Sequence, residues 1–110
     1  MMRVVVSDEV RDALERGRAV VALESTIFSN LGLPSPANAE ALQRCLAAIH
    51  DAGAVPAITA VLDGEMRAGL DSGEHPRILG SARKAAERDL GVAVAQRWDF
   101  GATTVSASLA

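Results

Sequence analysis

The stretch AVVALEST, residues 19–26, decides the fold class. Its first five residues form a continuous apolar run, not an alternating one, which is the pattern of a strand covered on both faces in a parallel sheet. A carboxylate, Glu24, follows at once. Open α/β sheets form their binding crevices at the carboxyl ends of strands, so an acid here is a candidate for chemistry. The alternative is a loop carboxylate that caps a backbone amide, a common occupant of strand ends.

Upstream, Ser7 can cap a helix whose first turn holds Asp8 and Glu9, whose apolar positions Val10, Ala13 and Leu14 follow helical spacing, and which stops near Gly17. Downstream, residues 25–36 collect Asn30, Gly32, Pro34 and Pro36, all turn formers, and read as a loop. Ser35 and Pro36 then suit the cap and first position of a helix running through Ala41, Leu42, Cys45, Leu46 and Ile49 to a stop at Gly53. Residues 55–62 form a second apolar run, closed by Asp63-Gly64, a dipeptide that favours a tight hairpin into a short strand at 65–67. Residues 70–89 are polar and weakly periodic and predict one or two short helices. GVAVAQ, residues 91–96, predicts a strand, and GATTVSASLA, residues 101–110, opens like a helix on Gly101, Thr103 and Thr104. The whole is expected to be one α/β unit, part of an α/β/α sandwich with a mostly parallel sheet, over residues 1–110.

Composition narrows the function. The 110 residues are 49% hydrophobic and 23% charged, rich enough in apolar side chains to bury a core, which argues against disorder. Eleven Lys and Arg against fourteen Asp and Glu leave a net charge of -3 and no basic stripe for a phosphate backbone, so nucleic acid is a poor partner. The lone Cys45 cannot form an internal disulfide, the start MMRVVVSDEV lacks the features of a signal peptide, and the apolar runs are too short to span a membrane. A cytoplasmic location is the expectation. His50 and His75 stand alone without a second ligand at metal spacing and read as surface or helix-end groups, and Cys45, on an apolar helix face, reads as core.

VALESTIFSNLGLPSPAN (21–38), GAVPAITAVLDGEMRAGL (53–70), KAAERDL (84–90) and GATTVSASLA (101–110) follow one another in the order seen in the pseudouridine-5'-phosphate glycosidases, and the chain resembles that family over nearly its whole length. The resemblance implies reversible cleavage of the C–C glycosidic bond of pseudouridine 5'-phosphate to uracil and ribose 5-phosphate, with manganese in the site and a homotrimeric assembly. It also implies that Glu24 donates the proton to the base carbon, that a lysine holds the opened sugar as an imine, and that Lys84 and Val105 contact substrate. Read without the resemblance, Lys84 beside Arg83, Glu87 and Arg88 is a solvated charge. Thr103 and Thr104, at the expected helix start, are potential phosphate neighbours.

Two departures from the family stand out. The metal-ligand aspartate and the imine-forming lysine lie in a part of the family's chains absent here, so this chain by itself is expected to be inactive. In SNLGLPSP, residues 29–36, Asn30 and Leu31 stand where relatives carry a His-Gly pair. The alternative function is a non-catalytic remnant or phosphate-binding module that keeps the α/β framework without turnover.

Overall fold

A computed structural model describes residues 3–104. Strand β3 (Val55–Leu62) is its centre, buried at every position but Thr59, and its two halves have different neighbours. Residues 55–58 pair in parallel with β2 (Val20–Leu23), from Val20 opposite Val55 to Leu23 opposite Ile58. Residues 59–62 pair antiparallel with β4 (Glu65–Ala68) across the Asp63-Gly64 turn, where both residues have positive φ. Along the other edge, residues 60–62 pair antiparallel with β6 (Phe100–Thr103). Strand β1 (Val4–Val6) adds to β4 in parallel, and β5 (Arg83–Ala85) adds to β6 in parallel. The path through the sheet is β1-β4-β3-β6-β5, with β2 on the leading half of β3. The sheet is mixed, because the tight turn at Asp63 forces one antiparallel pair and the return of β6 a second.

Alternation along β3 divides the interior. Ile58, Ala60 and Leu62, with Phe100 and Ala102, face Leu42 of α2 (Ala37–Asp51) and Ile78 of α3 (His75–Ile78). On the opposite face, Val55 and Ala57 meet Val10 and Ala13 of α1 (Asp8–Glu15). Val61 on that face meets Leu90 and Ala93 of α4 (Leu90–Ala95) and Ala85. Helices therefore cover both faces of the sheet, as the α/β expectation requires. Full burial of a side chain such as Val61 stabilises the fold by about 1.5–3 kcal/mol.

The ends of α1 follow the sequence closely. Ser7 Oγ accepts from Val10 N at 3.3 Å, and Gly17 sits just past the helix with φ of 69°. For α2 the stop at Gly53 is as expected, but Pro36, not Ser35, occupies the cap position, and no side chain caps the helix.

Three expectations are corrected. GVAVAQ is helical, not extended: the Asp89 carboxylate accepts from Ala86 N at 3.1 Å to open a turn that runs into α4, and Leu90 and Ala93, three apart, face the core while Val92 is 47% exposed. The segment from Gly101 is strand through Thr103, not a helix start, because it is held between β3 and β5. Among the described residues strand β2 is not covered on both faces: Val21 is 39% exposed and Ala22 is exposed too. Among the described residues no helix is long and apolar enough to cross a membrane.

Arg67 of β4 grips Glu74 with two parallel hydrogen bonds, Nη1 to Oε2 at 2.9 Å and Nη2 to Oε1 at 2.8 Å, and Asp71 N donates a third to Oε1 at 3.1 Å. The Arg67 guanidinium holds the Glu74 carboxyl below its ordinary value of 4.5. The unfolded chain then binds more protons in the acid range, so this pair's stabilisation is complete above pH 4.5 and is lost as pH falls through the depressed folded value. Replacing Glu74→Gln should flatten the acid limb of stability, read as urea midpoints from neutral pH down to roughly pH 3. An unchanged acid limb in the variant would show that other carboxylates govern it.

Gly69 closes the β4 edge, donating its N–H to Ile58 O at 2.9 Å with φ of 94°. A Cβ there would overlap Ser7 Oγ and Val10 Cγ2, the cap and first buried residue of α1. Gly69→Ala is expected to cost about 2–4 kcal/mol in urea denaturation, from backbone strain plus overpacking. Gly73→Ala, where a Cβ meets nothing within 4 Å, is the control and should stay within about 1 kcal/mol.

Candidate functional site at the carboxyl ends of three strands

Strands β2 and β6 run toward each other along one edge of β3 and stop at Thr59. Where two strands meet end to end, the ladder is interrupted, and the buried backbone groups need other partners. Short hydroxyl side chains supply them. Thr59 Oγ1 donates to Leu23 O at 3.0 Å, and Thr103 Oγ1 donates to Thr59 O at 2.6 Å, the two hydroxyls lying 2.8 Å apart. Ser25 N donates to Thr103 O at 3.2 Å, and Thr103 N returns a bond to Ser25 Oγ at 2.9 Å. Thr26 Oγ1 completes the set by donating to Thr103 O at 2.8 Å and Ala102 O at 3.2 Å. Ser25 is fully buried and Thr103 nearly so.

Glu24 stands between two residues that this knot holds. On one side the Leu23 carbonyl is bound by Thr59, and on the other Ser25 is bound by Thr103 in both directions. The Glu24 side chain is half-buried, and among the described residues its carboxylate caps no backbone amide.

The loop after Glu24 is tied down at several points. A 3₁₀ turn, Thr26–Phe28, sinks Phe28 into the core beside Leu42. Asn38, buried at the start of α2, donates from Nδ2 to Phe28 O at 3.0 Å and Leu79 O at 3.2 Å. Asn30 links the loop to the approach of β5, with its N–H on Gly80 O at 3.1 Å and its Oδ1 accepting from Ala82 N at 3.0 Å. The SNLG departure therefore places a structural residue at Asn30, whereas Leu31 is 47% exposed.

Lys84 is exposed on β5 opposite Ala102 of β6. Its neighbour Arg83 stacks over Trp98 at 3.9 Å, and alternation puts Lys84 on the reverse face of the strand from Arg83 and the buried Ala85. Thr104 N donates to Ala85 O at 3.2 Å, so the carboxyl ends of β5 and β6 finish together beside Ser25. Glu24 and Lys84, 60 residues apart in the sequence, thus lie on strands whose carboxyl ends both reach the end of β6, Glu24 just after β2 and Lys84 within β5. Thr103 lies in this corner with its hydroxyl bonded to Thr59 O and 3.1 Å from Ser25 Oγ, and Thr104 is half-buried. Val105 lies outside the described residues.

Clefts of about 250 and 470 Å³ lie elsewhere, between α2 and the start of α3, both lined by Leu46, His50, Ser72 and His75. His50 is exposed in the last turn of α2, its Nε2 3.7 Å from Glu9 Oε1, and Cys45 packs half-buried against the core. Among the described residues no group of three His, Cys, Asp or Glu side chains could hold a metal ion. The described residues by themselves therefore offer no set of side chains that fits a manganese ion.

The layers and this corner define an α/β protein that displays a carboxylate and an ammonium at the carboxyl ends of its strands. Residues 9–110 match the family described as Indigoidine synthase A like protein, and the chain belongs to that family. It is 49% identical over 105 residues to the pseudouridine-5'-phosphate glycosidase of Rhodospirillum centenum, covering 94% of this chain and 32% of that one. With the enzyme of the same name from Arabidopsis thaliana it shares 46% over 109 residues, covering 96% and 32%. Among solved structures, it resembles the prealnumycin C-glycosynthase in complex with ribulose 5-phosphate at 35% identity and a TM-score of 0.76, covering 96% of this chain and 34% of that one. An indigoidine synthase A-like protein from Thermotoga maritima gives 28% and 0.79, covering 97% and 34%. The chain spans about a third of the length of the curated relatives it matches.

Sequence reading singled out Glu24 and Lys84 but missed Ser25, Thr59 and Asn38. A signal existed only for Asn38: an amide four residues before the buried Leu42, on the apolar face of α2. Asn38→Ala strands the Phe28 and Leu79 carbonyls, and we expect a loss of about 1–3 kcal/mol in chemical denaturation. Asn38→Asp, which removes the donor but keeps the shape, should be at least as damaging; an unperturbed Asp variant would show that the two bonds contribute little.

Proposed function

We propose that this chain supplies the proton-donor corner of a pseudouridine-5'-phosphate glycosidase. The observation that carries the reading is Glu24 at the carboxyl end of β2, with the Leu23 carbonyl held by the Thr59 hydroxyl on one side and the Ser25 hydroxyl held by the Thr103 N–H on the other. Breaking a C–C glycosidic bond requires the departing base carbon to take up a proton as the bond electrons pass to it, and a carboxylic acid fixed beside that carbon is suited to deliver it. Glu24 in its acid form would give the proton to uracil, and the resulting carboxylate would recover one as water completes release of ribose 5-phosphate. The Lys84 ammonium, free to reach out from an edge strand, would hold a phosphate or sugar oxygen. The electrophilic end of the reaction, the lysine that forms the sugar imine and any manganese, belongs to residues outside the stretch described here. The same reading carries a homotrimeric, cytoplasmic protein. The names of the relatives and the sugar phosphate bound by the C-glycosynthase support this substrate class.

The test joins this segment to the matching remainder of the Rhodospirillum centenum relative. Glu24→Gln keeps size and hydrogen bonding but removes the transferable proton, so kcat should fall roughly 10²-fold or more while KM changes little. Lys84→Met removes a contact present in ground and transition states alike and should act mainly on KM. A Glu24→Gln protein with near-normal kcat and a lowered melting temperature would make Glu24 a structural residue. A fusion that binds pseudouridine 5'-phosphate without turnover would favour the phosphate-binding module instead.

A further inference from the structure

We infer that Thr103 and Thr59 are positioning residues for Glu24, holding the acid in place through the backbone on either side of it. The inference rests on the proposed role of Glu24. Its support is the direction of the bonds. Thr59 Oγ1 fixes the carbonyl of Leu23, the residue before Glu24, at 3.0 Å. The Thr103 N–H fixes the hydroxyl of Ser25, the residue after it, at 2.9 Å, while Ser25 N is fixed in return by Thr103 O at 3.2 Å. The two threonines are themselves joined, since Thr103 Oγ1 donates to Thr59 O at 2.6 Å. One chain of bonds thus runs from Leu23 through Thr59 and Thr103 to Ser25, bracketing Glu24 from both sides.

Both ends of that chain are anchored in rigid elements. Thr59 is at the middle of β3, between Ile58 and Ala60, both 2% exposed, and Thr103 ends β6 at 4% exposure. A loop following a strand would ordinarily be free to shift by more than an acid can tolerate, since a misplacement of about 1 Å can cost on the order of 10²-fold in rate. Here the strand end and the loop start are clamped to the same residue pair. Thr103 is buried and Thr59 half-buried, and each hydroxyl is already bonded to a carbonyl, so they act on geometry.

A purely structural hydroxyl and a positioning one differ in how their loss combines with loss of the acid. In the fusion protein, Thr103→Val keeps the main-chain bonds to Ser25 but removes the Oγ1 bond that ties them to Thr59, so the bracket loosens and kcat should fall roughly 10-fold or more with KM within about 2-fold. Thr103→Ser, which restores the hydroxyl, should recover most of that loss. Placed in the Glu24→Gln background, Thr103→Val should have less than about a 2-fold further effect, since there is no proton donor left to misplace. Thr59→Val, nearly isosteric and at a half-buried site, goes through the same cycle and carries the test where Thr103→Val does not fold. Equal losses of kcat with and without Glu24, or a rise in KM with kcat intact, would overturn the positioning role. A Glu24→Gln protein with normal kcat would instead remove the proton-donor reading on which it rests, so the two failures are told apart by the single mutants.

Discussion

The structure depends on an interruption. Strands β2 and β6 share one edge of β3 without overlapping, β2 on the leading half and β6 on the trailing half, and their ends meet at Thr59. An edge ladder that breaks in the interior leaves buried donors and acceptors, each costing about 1–3 kcal/mol if unpaired. Four hydroxyl side chains, Ser25, Thr26, Thr59 and Thr103, close the gap by accepting or donating where a neighbouring strand would otherwise do so. With that gap closed, β3 can carry a parallel partner and two antiparallel ones along its eight residues, and the remaining strands attach to those.

Small side chains allow the layers to approach closely around this centre. The chain has two Phe, one Trp and no Tyr, and the sheet faces are built from Ala57, Ala60, Ala85 and Ala102 beside Val55, Ile58, Val61 and Leu62. Alanine and branched aliphatics fill space without long rotamers, so helix and sheet pack close with little side-chain entropy to lose. Phe28 and Phe100 are both in the layer beneath α2, which is the side on which the loop after Glu24 must be anchored. Bulk is concentrated where a connection needs holding, and smallness where helices lie flat on strands.

What could be read from the sequence followed from local grammar. The Ser7 cap, the Gly17 and Gly53 stops and the Asp63-Gly64 turn are each decided by a few adjacent residues, and each is where the residues place it. Elements decided by partners were not legible. Residues 83–85 fall in the polar stretch 70–89 that predicts short helices, yet β5 forms because β6 offers it an edge. The alternation in GVAVAQ resembles a strand, yet the turn capped by Asp89 commits it to a helix. Phe100 to Thr103 has β-branched threonine and a small glycine, and only the presence of β3 and β5 on either side makes it a strand and not a helix start. The candidate site divides the same way: Glu24 was legible as an acid at a strand end, whereas the hydroxyls that hold it lie up to 78 positions apart in hydrogen-bonded pairs and become neighbours only once β6 is known to be a strand.

The interruption at Thr59 is an expensive way to build an edge. A single continuous strand along β3 would satisfy the same backbone groups with ladder bonds and would need no buried hydroxyl network, whose members must all be satisfied together to be harmless. A continuous strand, however, has no end in the middle of a sheet, and it is a strand end that turns a residue out of the ladder while its neighbours stay fixed. By meeting head on, β2 and β6 create such an end deep within the framework and place Glu24 at it, with Lys84 within β5, whose carboxyl end also reaches the end of β6. Departures from the most economical local structure tend to fall where a protein needs a group held in a particular place. The hydroxyl knot and the carboxylate are in this sense one feature: the first fills the gap that the second requires.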